Sequence, residues 1–244
     1  MKKEIERPSK EIIEFFKKTP TAFVSDAEKK LGLRAEMLYM KDVYPMFPLS
    51  LRKKDEVSIA GPAITFEMGP HTATYEYTEF PYKLGTRIHF LIVEKYSKPG
   101  DIVVIDAKEA KLGMWGGYMT QRAAKLKVGG MVTDGYIRDA DQSREWGVPL
   151  FSRGKTMISY VYYLNPISEM TPVHCGGALV KPGDIIVGDT DGVVVVPHEK
   201  LDEIIEVVKI NIDAEKKISE WLNQGKSFDY IYKELHPMKY IKGR

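Results

Sequence analysis

Apolar residues at helical spacing occupy both ends of this chain. The segment SKEIIEFFKKT starts at Ser9, a residue type that caps helix N-termini, and predicts an opening helix. TAFVSDAEKKLG predicts a second helix that stops at Gly32. From His198 onward, EKLDEIIEVVKINIDAEKKISEWLNQG predicts a long amphipathic helix ending at Gly225, and SFDYIYKEL predicts a short helix after it.

The middle of the chain is dominated by apolar runs. DIVVIDA, GGMVTDG and VPLFSRG predict strands, and EVSIAGPAITFEM predicts a strand interrupted by Gly61-Pro62. IHFLIVEKYS predicts a buried helix ended by Lys98-Pro99-Gly100, YMTQRAAKLK predicts another helix, and the aromatic GPHTATYEYTEFPYKLGT predicts a loop. After residue 170, VHCGGALV, DIIVGD and GVVVVP, separated by the turn sequences KPGD and DTDG, predict a compact β unit. With no linker or repeat, residues 1–244 predict a single α/β domain with a helical tail.

Composition restricts the class of protein. The chain has 244 residues, of which 43% are hydrophobic, enough for a core. Its net charge of only +2 argues against nucleic acid as the main partner. The single cysteine, Cys175, excludes a disulfide framework. No apolar run reaches the ~18 residues of a membrane span, and the N-terminal segment lacks the apolar core of a signal peptide. We therefore expect a cytoplasmic protein with no membrane partner.

Three features converge on residues 113–140. Gly116-Gly117 precede a predicted helix, whose first amides favour a carboxylate or phosphate, although a tight turn without ligand is the alternative. Arg138 can hold a carboxylate through two parallel hydrogen bonds, or form only a surface salt bridge. Asp139 is a hard oxygen ligand suited to Mg²⁺ or Mn²⁺, although Asp139 or Asp141 can instead cap the helix DQSREWG.

Taken in order along the chain, these pieces are similar to a known family. The matching segments are TPTAFVSDAEKKLG, GPAITFEM, KPGDIVVIDA, WGGYMTQRAAKLKVGGMVTDGYIRD, VPLFSRG and VHCGGALVKPGDIIVGDTDGVVVVP. The chain resembles the family that contains the regulator of ribonuclease activity A and the class II 4-hydroxy-4-methyl-2-oxoglutarate (4-carboxy-4-hydroxy-2-oxoadipate) aldolases. The likeness covers roughly residues 20–200, and Asp-Gly-x-x-Arg-Asp at 134–139 is its most specific element.

The resemblance implies a fold, an assembly and residue roles. The fold would be a swivelling β/β/α domain of the ribonuclease-regulator-A-like type with a C-terminal helical tail. It would form homotrimers or homohexamers, with active sites between subunits and the tail, residues 201–244, on a neighbouring subunit. Arg138 would hold the carboxylate of a small pyruvate-like 2-oxo acid, and Asp139 would anchor Mg²⁺ or Mn²⁺. Tyr118 and Met119, with Gly117, would offer backbone amides to that substrate.

The implied reaction is metal-dependent carbon–carbon bond cleavage. A divalent metal on the 2-oxo and carboxylate oxygens stabilises the enolate left when the bond breaks. The same electron sink serves retro-aldol cleavage of 4-hydroxy-4-methyl-2-oxoglutarate-like substrates and decarboxylation of oxaloacetate, because both pass through pyruvate enolate. Water relayed through carboxylates would accept the proton of the cleaved hydroxyl. The chain would thus be a lyase.

One position departs from the family pattern. The aldolases carry an acidic residue, then twenty residues, then Arg-Asp, and the corresponding position here is Gly117. Asp134, Glu109 or, from a neighbouring subunit's tail, Glu215 are candidates to replace that carboxylate near the metal. The departure also fits a different 2-oxo acid or a lost activity, so the alternative function is a non-catalytic, protein-binding regulator like the ribonuclease inhibitor.

Other residues receive a structural interpretation. The histidines lack the spacing of a zinc site, and His174-Cys175 at the start of an apolar strand are expected in the core or at an interface. Trp115 and Trp146 are expected to pack. KVGGMVTDG does not match a dinucleotide-type glycine motif, so no adenosylmethionine site is expected. Segment 70–84 and the tail from 226 to 244 are expected to set the substrate range.

Overall fold

A computed structural model describes residues 4–47, 57–70 and 85–235. Its helices are α1 (Lys10–Lys18), α2 (Thr21–Lys30), α3 (Gly85–Tyr96), α4 (Gly117–Leu126), α5 (Ala140–Glu145), α6 (Leu201–Asn223) and α7 (Phe228–Leu235). Three short 3₁₀ turns lie at Ala35–Met37, Tyr160–Tyr162 and His198–Lys200. The predicted terminal helices are confirmed, and the Ser9 side chain caps α1 by accepting a hydrogen bond from the Ile12 amide.

The described part of the chain contains a large mixed sheet and two small ones. The strands are β1 (Tyr44–Pro45), β2 (Ile59–Pro70), β3 (Ile102–Asp106), β4 (Gly113–Trp115), β5 (Gly130–Thr133), β6 (Tyr136–Ile137), β7 (Leu150–Ser152), β8 (Gly154–Lys155), β9 (Leu164–Glu169), β10 (Val173–Cys175), β11 (Ala178–Val180), β12 (Ile185–Asp189) and β13 (Gly192–Val196). Eight strands form the large sheet, in the order β1-β7-β5-β3-β2-β12-β13 with β9 also on β2. Strands β2, β3, β5 and β7 are parallel to their neighbours in this set.

The predicted interruption of β2 at Gly61-Pro62 is wrong. The strand continues through both residues because they lie where its partners change: Gly61 and Pro62 pair with β12, and pairing with β3 starts only at Ala63. The amide that proline lacks is therefore not required on the β3 side. A side chain on Gly61 would collide with the carbonyl of Gly100, so glycine allows a close backbone contact here.

Three other predictions need correction. The segment after residue 170 is not one β unit: β10 and β11 form their own two-stranded sheet, whereas β12 and β13 extend the large sheet. Helix α3 is only partly buried, because Ile92 and Val93 pack inward while Leu91 is 55% exposed. The predicted loop, residues 69–86, is wrong at both ends, because Gly69 and Pro70 belong to β2 and Gly85 and Thr86 belong to α3. Its residues 71–84 lie outside the described residues.

Three apolar clusters hold these layers together. One lies between the sheet and α3 and α4, and includes Phe66, Ile105 and Met131. Another lies on the opposite face of the sheet and includes Val104 and Phe151. The third joins α1, α2 and α6 to β12 and β13. Across the described ranges, no helix has both the length and the apolar content needed to cross a membrane.

Candidate functional site

A cavity of about 90 Å³ lies where α4 begins and β6 ends. Its lining consists of Phe90, Gly113, Met114, Trp115, Gly116, Gly117, Tyr118, Met119, Arg138, Asp139, Ser159, Tyr160 and Val161. The structure thus brings together five residues predicted from sequence, namely Gly117, Tyr118, Met119, Arg138 and Asp139. Their roles in binding stay predictions.

The small sheet of β4, β6 and β8 determines which segments meet at the cavity. β4 and β6 are parallel neighbours, and the Arg138 amide donates to the carbonyl of Trp115 at 2.9 Å. The chain after β4 turns into α4, and the chain after β6 turns into α5. Because parallel strands end at the same edge, both helix starts lie beside each other. This places the Gly116-Gly117 turn against the Arg138-Asp139 pair.

The first turn of α4 forms one wall. Gly116 occupies the N-cap position in an extended conformation and has no side chain to bond the first amides. The Gly117 amide donates to Asp139 Oδ2 at 3.2 Å. The next amides, of Tyr118 and Met119, have no intrahelical acceptor, since the first amides of any helix lie before its first complete turn. The wall therefore presents amides and the positive end of the helix dipole to an anion.

Arg138 and Asp139 form the facing wall. Arg138 Nε lies 3.4 Å from Asp139 Oδ2, and the two side chains are 40% and 37% exposed. Asp139 lies in the left-handed region at φ 54°, an uncommon conformation for a residue other than glycine that positions its carboxylate. The alternative that Asp139 caps α5 is wrong, because its side chain makes no cap bond to that helix and contacts α4 instead. Asp141 also does not cap: it pairs with Arg144 at 3.7 Å.

A buried hydrogen-bond network holds the two walls at a fixed distance. Trp115 Nε1 donates to Thr120 Oγ1 at 3.0 Å, and Thr120 Oγ1 lies 3.0 Å from both the Gly116 carbonyl and Ser143 Oγ. A hydroxyl has one proton and two lone pairs. Thr120 can therefore donate to Gly116 while accepting from Trp115 and Ser143. The network joins β4, α4 and α5, and Trp115 packs in the core as predicted.

Residues 159–161 are cavity residues that the sequence analysis did not identify. The Ser159–Val161 segment enters the site because the Gly113 amide donates to the Ile158 carbonyl at 2.7 Å. Tyr160 is buried, and this burial raises the pKa of its phenol well above the usual value despite the nearby Arg138 charge. The phenol is therefore protonated at neutral pH. No motif in SYVYYLNP distinguishes these residues from ordinary packing.

The other acidic candidates lie away from the cavity lining. Asp134 is buried and accepts hydrogen bonds from the amides of Ala107 at 2.7 Å and Gly176 at 3.3 Å. Glu109 pairs with Arg153 at 2.8 Å. Glu215 is exposed on α6, and its predicted contribution to a neighbouring subunit stays a prediction. Neither Asp134 nor Glu109 lines the cavity, and their predicted place near the metal stays a prediction.

The Asp139 carboxylate is suited to a single-ligand cation site. In the described part of the chain, no three His, Cys, Asp or Glu side chains are grouped to hold a metal. Mg²⁺ nevertheless binds proteins through one or two carboxylates, with water and substrate oxygens completing its shell. A β-carbon on Gly116 would lie 2.7 Å from Asp139 Oδ2, so only glycine leaves the carboxylate its place. Asp139 thus fits a hydrated divalent cation.

The chain is similar to several known proteins. The family model described as RraA-like: Aldolase/RraA matches residues 21–195. The chain is 35% identical over 147 residues to a candidate 4-hydroxy-4-methyl-2-oxoglutarate aldolase from Halalkalibacterium halodurans, covering 58% of this chain and 68% of that protein. It is 28% identical over 222 residues to protein DlpA of Legionella pneumophila, covering 88% of this chain but only 33% of that longer protein.

Solved structures show the same fold. An unusual member of the RNase ES inhibitor RraA family from Streptomyces coelicolor has a TM-score of 0.72 and 27% identity, covering 89% of this chain and 100% of that one. An uncharacterized protein from Pseudomonas syringae pv. tomato has a TM-score of 0.76 at 23% identity, covering 93% and 99%. The expected fold of the ribonuclease-regulator-A-like type, with a C-terminal helix, is confirmed. Proteins of this kind include both aldolase candidates and ribonuclease inhibitors.

Proposed function

Since the chain belongs to the RraA-like aldolase/RraA family, we propose that it is a divalent-metal-dependent carbon–carbon lyase acting on a small 2-oxo acid. The observation that carries this proposal is the cavity in which Arg138, Asp139 and the first turn of α4 meet. A guanidinium, a carboxylate and free helix amides in one small enclosure are suited to an anionic substrate with an accompanying cation.

Arg138 and α4 bind and orient the substrate carboxylate. The Arg138 guanidinium lines the cavity and is partly exposed. Among the residues that the structure describes, its ion-pair partner is Asp139, at 3.4 Å from Nε, so its other N–H groups can bind a ligand. The amides of Tyr118 and Met119 approach the same ligand from the opposite wall. A carboxylate between these donors neutralises the arginine charge and accepts hydrogen bonds that α4 cannot use internally.

Asp139 would hold Mg²⁺ or Mn²⁺ together with water and substrate oxygens. When bound, the cation supplies positive charge at the 2-oxo oxygen, where negative charge develops as the carbon–carbon bond breaks. Arg138 adds charge at the same end of the substrate. The Gly117 amide keeps the Asp139 carboxylate oriented through its 3.2 Å hydrogen bond.

The polar groups of the cavity favour decarboxylation over retro-aldol cleavage. In oxaloacetate decarboxylation the C3–C4 bond breaks, carbon dioxide leaves, and the electron pair forms pyruvate enolate, which then takes a proton from water. Retro-aldol cleavage additionally needs a base for the substrate hydroxyl proton. Among the cavity residues that the structure describes, Asp139 is the only carboxylate, and Tyr160 remains protonated. We therefore propose oxaloacetate-type substrates first and 4-hydroxy-4-methyl-2-oxoglutarate-type substrates second.

The test is pyruvate release from both substrates with Mg²⁺, Mn²⁺ or chelator. Wild type should turn over in a metal-dependent way, with the higher rate on oxaloacetate relative to the metal-only background, and Asp139→Ala should lose this activity. Asp26→Ala is a matched control, because Asp26 is an exposed aspartate on α2 that does not line the cavity. Absence of turnover on either substrate, with metal present and the protein folded, would overturn the lyase proposal.

Ribonuclease regulation is the second candidate. It is favoured by the 27% identity to the Streptomyces coelicolor member of the RNase ES inhibitor family, which this chain covers over its whole length. A regulator that binds a ribonuclease through its outer surface would do so equally well when a cavity residue such as Asp139 is replaced. Ribonuclease inhibition that Asp139→Ala leaves unchanged, in a protein without lyase turnover, would support this candidate.

A further inference from the structure

The side chain of Gln142 occupies the space that a side chain on residue 117 would take. A β-carbon on Gly117 would lie 2.9 Å from Gln142 Cγ and would overlap the carbon and oxygen of the Gln142 amide. Gln142 is on α5, exposed to solvent, and lies beside the cavity lining rather than within it. The start of α4 is therefore bordered by a neutral carboxamide from another helix.

From this arrangement we infer that Gln142 is a specificity-determining residue that recognises the distal carboxylate of a 2-oxo dicarboxylic acid. The inference rests on the proposed function, because it extends the same site outward. On this inference, a substrate that Arg138 holds and that is longer than the cavity extends past Gly117, which belongs to the lining. Gln142 lies outside the lining and against Gly117, with its amide oxygen nearest; the NH₂ group of the same amide can donate hydrogen bonds to a carboxylate.

Charge explains why an amide suits this position. The described lining already contains one carboxylate, that of Asp139, and one guanidinium, that of Arg138. A second carboxylate beside Gly117 would repel a substrate with negative charge at both ends. An amide of the same size removes that repulsion and adds a donor. Gly117 and Gln142 thus depend on each other. The absence of a side chain at 117 leaves space beside the start of α4, and the uncharged Gln142 amide occupies it.

The experiment compares two ligands of equal chain length. 2-Oxoglutarate and 2-oxovalerate differ only in the distal carboxylate, and calorimetry in the presence of Mg²⁺ gives the Kd of each for wild type, Gln142→Glu and Gln142→Met. Glutamate keeps the shape and adds charge, whereas methionine keeps the approximate size and removes polarity. Because Gln142 is exposed, all three proteins should fold.

We expect wild type to bind 2-oxoglutarate more tightly than 2-oxovalerate. Gln142→Glu should weaken 2-oxoglutarate by about 10-fold or more and Gln142→Met by roughly 3-fold, while 2-oxovalerate changes less than about 2-fold. If Gln142 served only in packing, its substitution should change the Kd values of both ligands by the same factor. With oxaloacetate, the contacted carboxylate is the group that leaves as carbon dioxide and loses its charge in the transition state, so the variants should raise KM without lowering kcat.

A second route tests the same contact without replacing Gln142. Gly117→Ala should displace the amide and weaken 2-oxoglutarate selectively, and Gln142→Ala added to it should cause little further loss. If wild type binds neither ligand, the inference and the proposed pocket are both overturned. Binding of both ligands with equal Kd values in all variants overturns the inference alone. Selective loss in Gln142→Glu without any lyase turnover overturns the proposed reaction and supports the inference.

Discussion

Two sets of carboxylates follow parallel strands in this protein, and their surroundings differ. Asp106 ends β3 and Asp134 follows β5, and both are buried. Asp134 accepts the amides of Ala107 and Gly176, while Asp106 accepts the amides of Lys108 and His174. Asp139 follows β6, is 37% exposed, and accepts one amide, that of Gly117. Backbone donors thus occupy the first pair, whereas Asp139 keeps free oxygen lone pairs facing a cavity.

The comparison shows that position after a strand does not by itself create a site. Lys108 contacts Asp106 at 2.8 Å and Glu67 at 2.7 Å; burial lowers its pKa, but these hydrogen bonds outweigh that effect and raise it to about 12. Through their hydrogen bonds to backbone amides, the buried carboxylates of Asp106 and Asp134 connect the strands to the loops beside them. Asp139 differs because the glycine at 116 leaves room for its carboxylate.

The largest expected effect is a loss of activity when Asp139, rather than one of the buried carboxylates, is replaced. Asp139→Asn should lower kcat/KM on oxaloacetate by about 10²- to 10³-fold, because it removes the charge expected to hold the cation. Its melting temperature should stay near that of wild type, since the side chain is partly exposed and its ion pair is long. Steady-state kinetics and thermal denaturation check both statements. A loss of stability as large as the loss of activity would contradict the distinction between Asp139 as a functional group and the buried carboxylates as structural groups.

Glu28 extends the comparison to a carboxyl group without donors. It is fully buried on α2, both of its oxygens lack a hydrogen-bond partner among the described residues, and burial raises its pKa from 4.5 to about 8. The folded state keeps this proton up to pH about 8, whereas the unfolded chain releases it near pH 4.5. The contribution of Glu28 to the free energy of unfolding is therefore fully present below pH 4.5, falls as pH rises, and levels off above pH 8.

Glu28→Met should remove that pH dependence. Between pH 5 and 8, urea denaturation of wild type should show a loss attributable to Glu28 of roughly 3 kcal/mol, and the methionine variant should lack it. Methionine is close to glutamate in size, so the packing against α6 is retained. Asp26→Asn on the exposed face of α2 is the control and should follow wild type. If the free energies of unfolding of wild type and Glu28→Met change with pH in the same way, Glu28 does not hold a proton in the folded state.

Asp134→Asn should cost stability rather than activity. Both carboxylate oxygens accept backbone amides, so the NH₂ group of asparagine would face one donor with another. We expect a loss of about 2 kcal/mol in the free energy of unfolding with kcat/KM nearly unchanged. Burial also raises the pKa of Asp134 to about 6 despite these amides. The contribution of Asp134 to the free energy of unfolding therefore falls as pH rises from about 4 to 6, and Asp134→Asn should lack this fall. A large activity loss at unchanged stability would place Asp134 in the site.

The smallest expected effect concerns the network that positions the two walls. Thr120→Val keeps the shape but leaves Trp115 Nε1 and Ser143 without their shared partner. We expect a loss of about 1 kcal/mol in stability and a several-fold decrease in kcat/KM, because the walls shift relative to each other. Thr120→Ser, which retains the hydroxyl, should restore most of the activity. Identical kinetics for the valine and serine variants would exclude a positioning role.

Much of the architecture was predictable because its signals are local. The helical spacing after Ser9 and along α6, and the continuous apolar runs of β3 and β13, are properties of short segments. The short strands β1, β4, β6 and β8 were not predicted, since two or three residues carry no periodicity and pair only when a partner is present. Strand β9 was not predicted either, since its LNPISE sequence contains a proline, which is untypical of a strand interior. The role of Gly61-Pro62 depended on which strands flank β2.

The sequence by itself determined the family, the helical ends, and five of the residues that meet at the cavity, because the order of motifs and the chemistry of arginine, aspartate and glycine can be read without coordinates. Only the tertiary structure decided which carboxylates are available. Asp134 and Asp139 have the same side chain, but backbone amides from distant segments surround one and leave the other open to the cavity. It also decided that Gln142 fills the space beside Gly117, a contact between two helices that no spacing rule specifies.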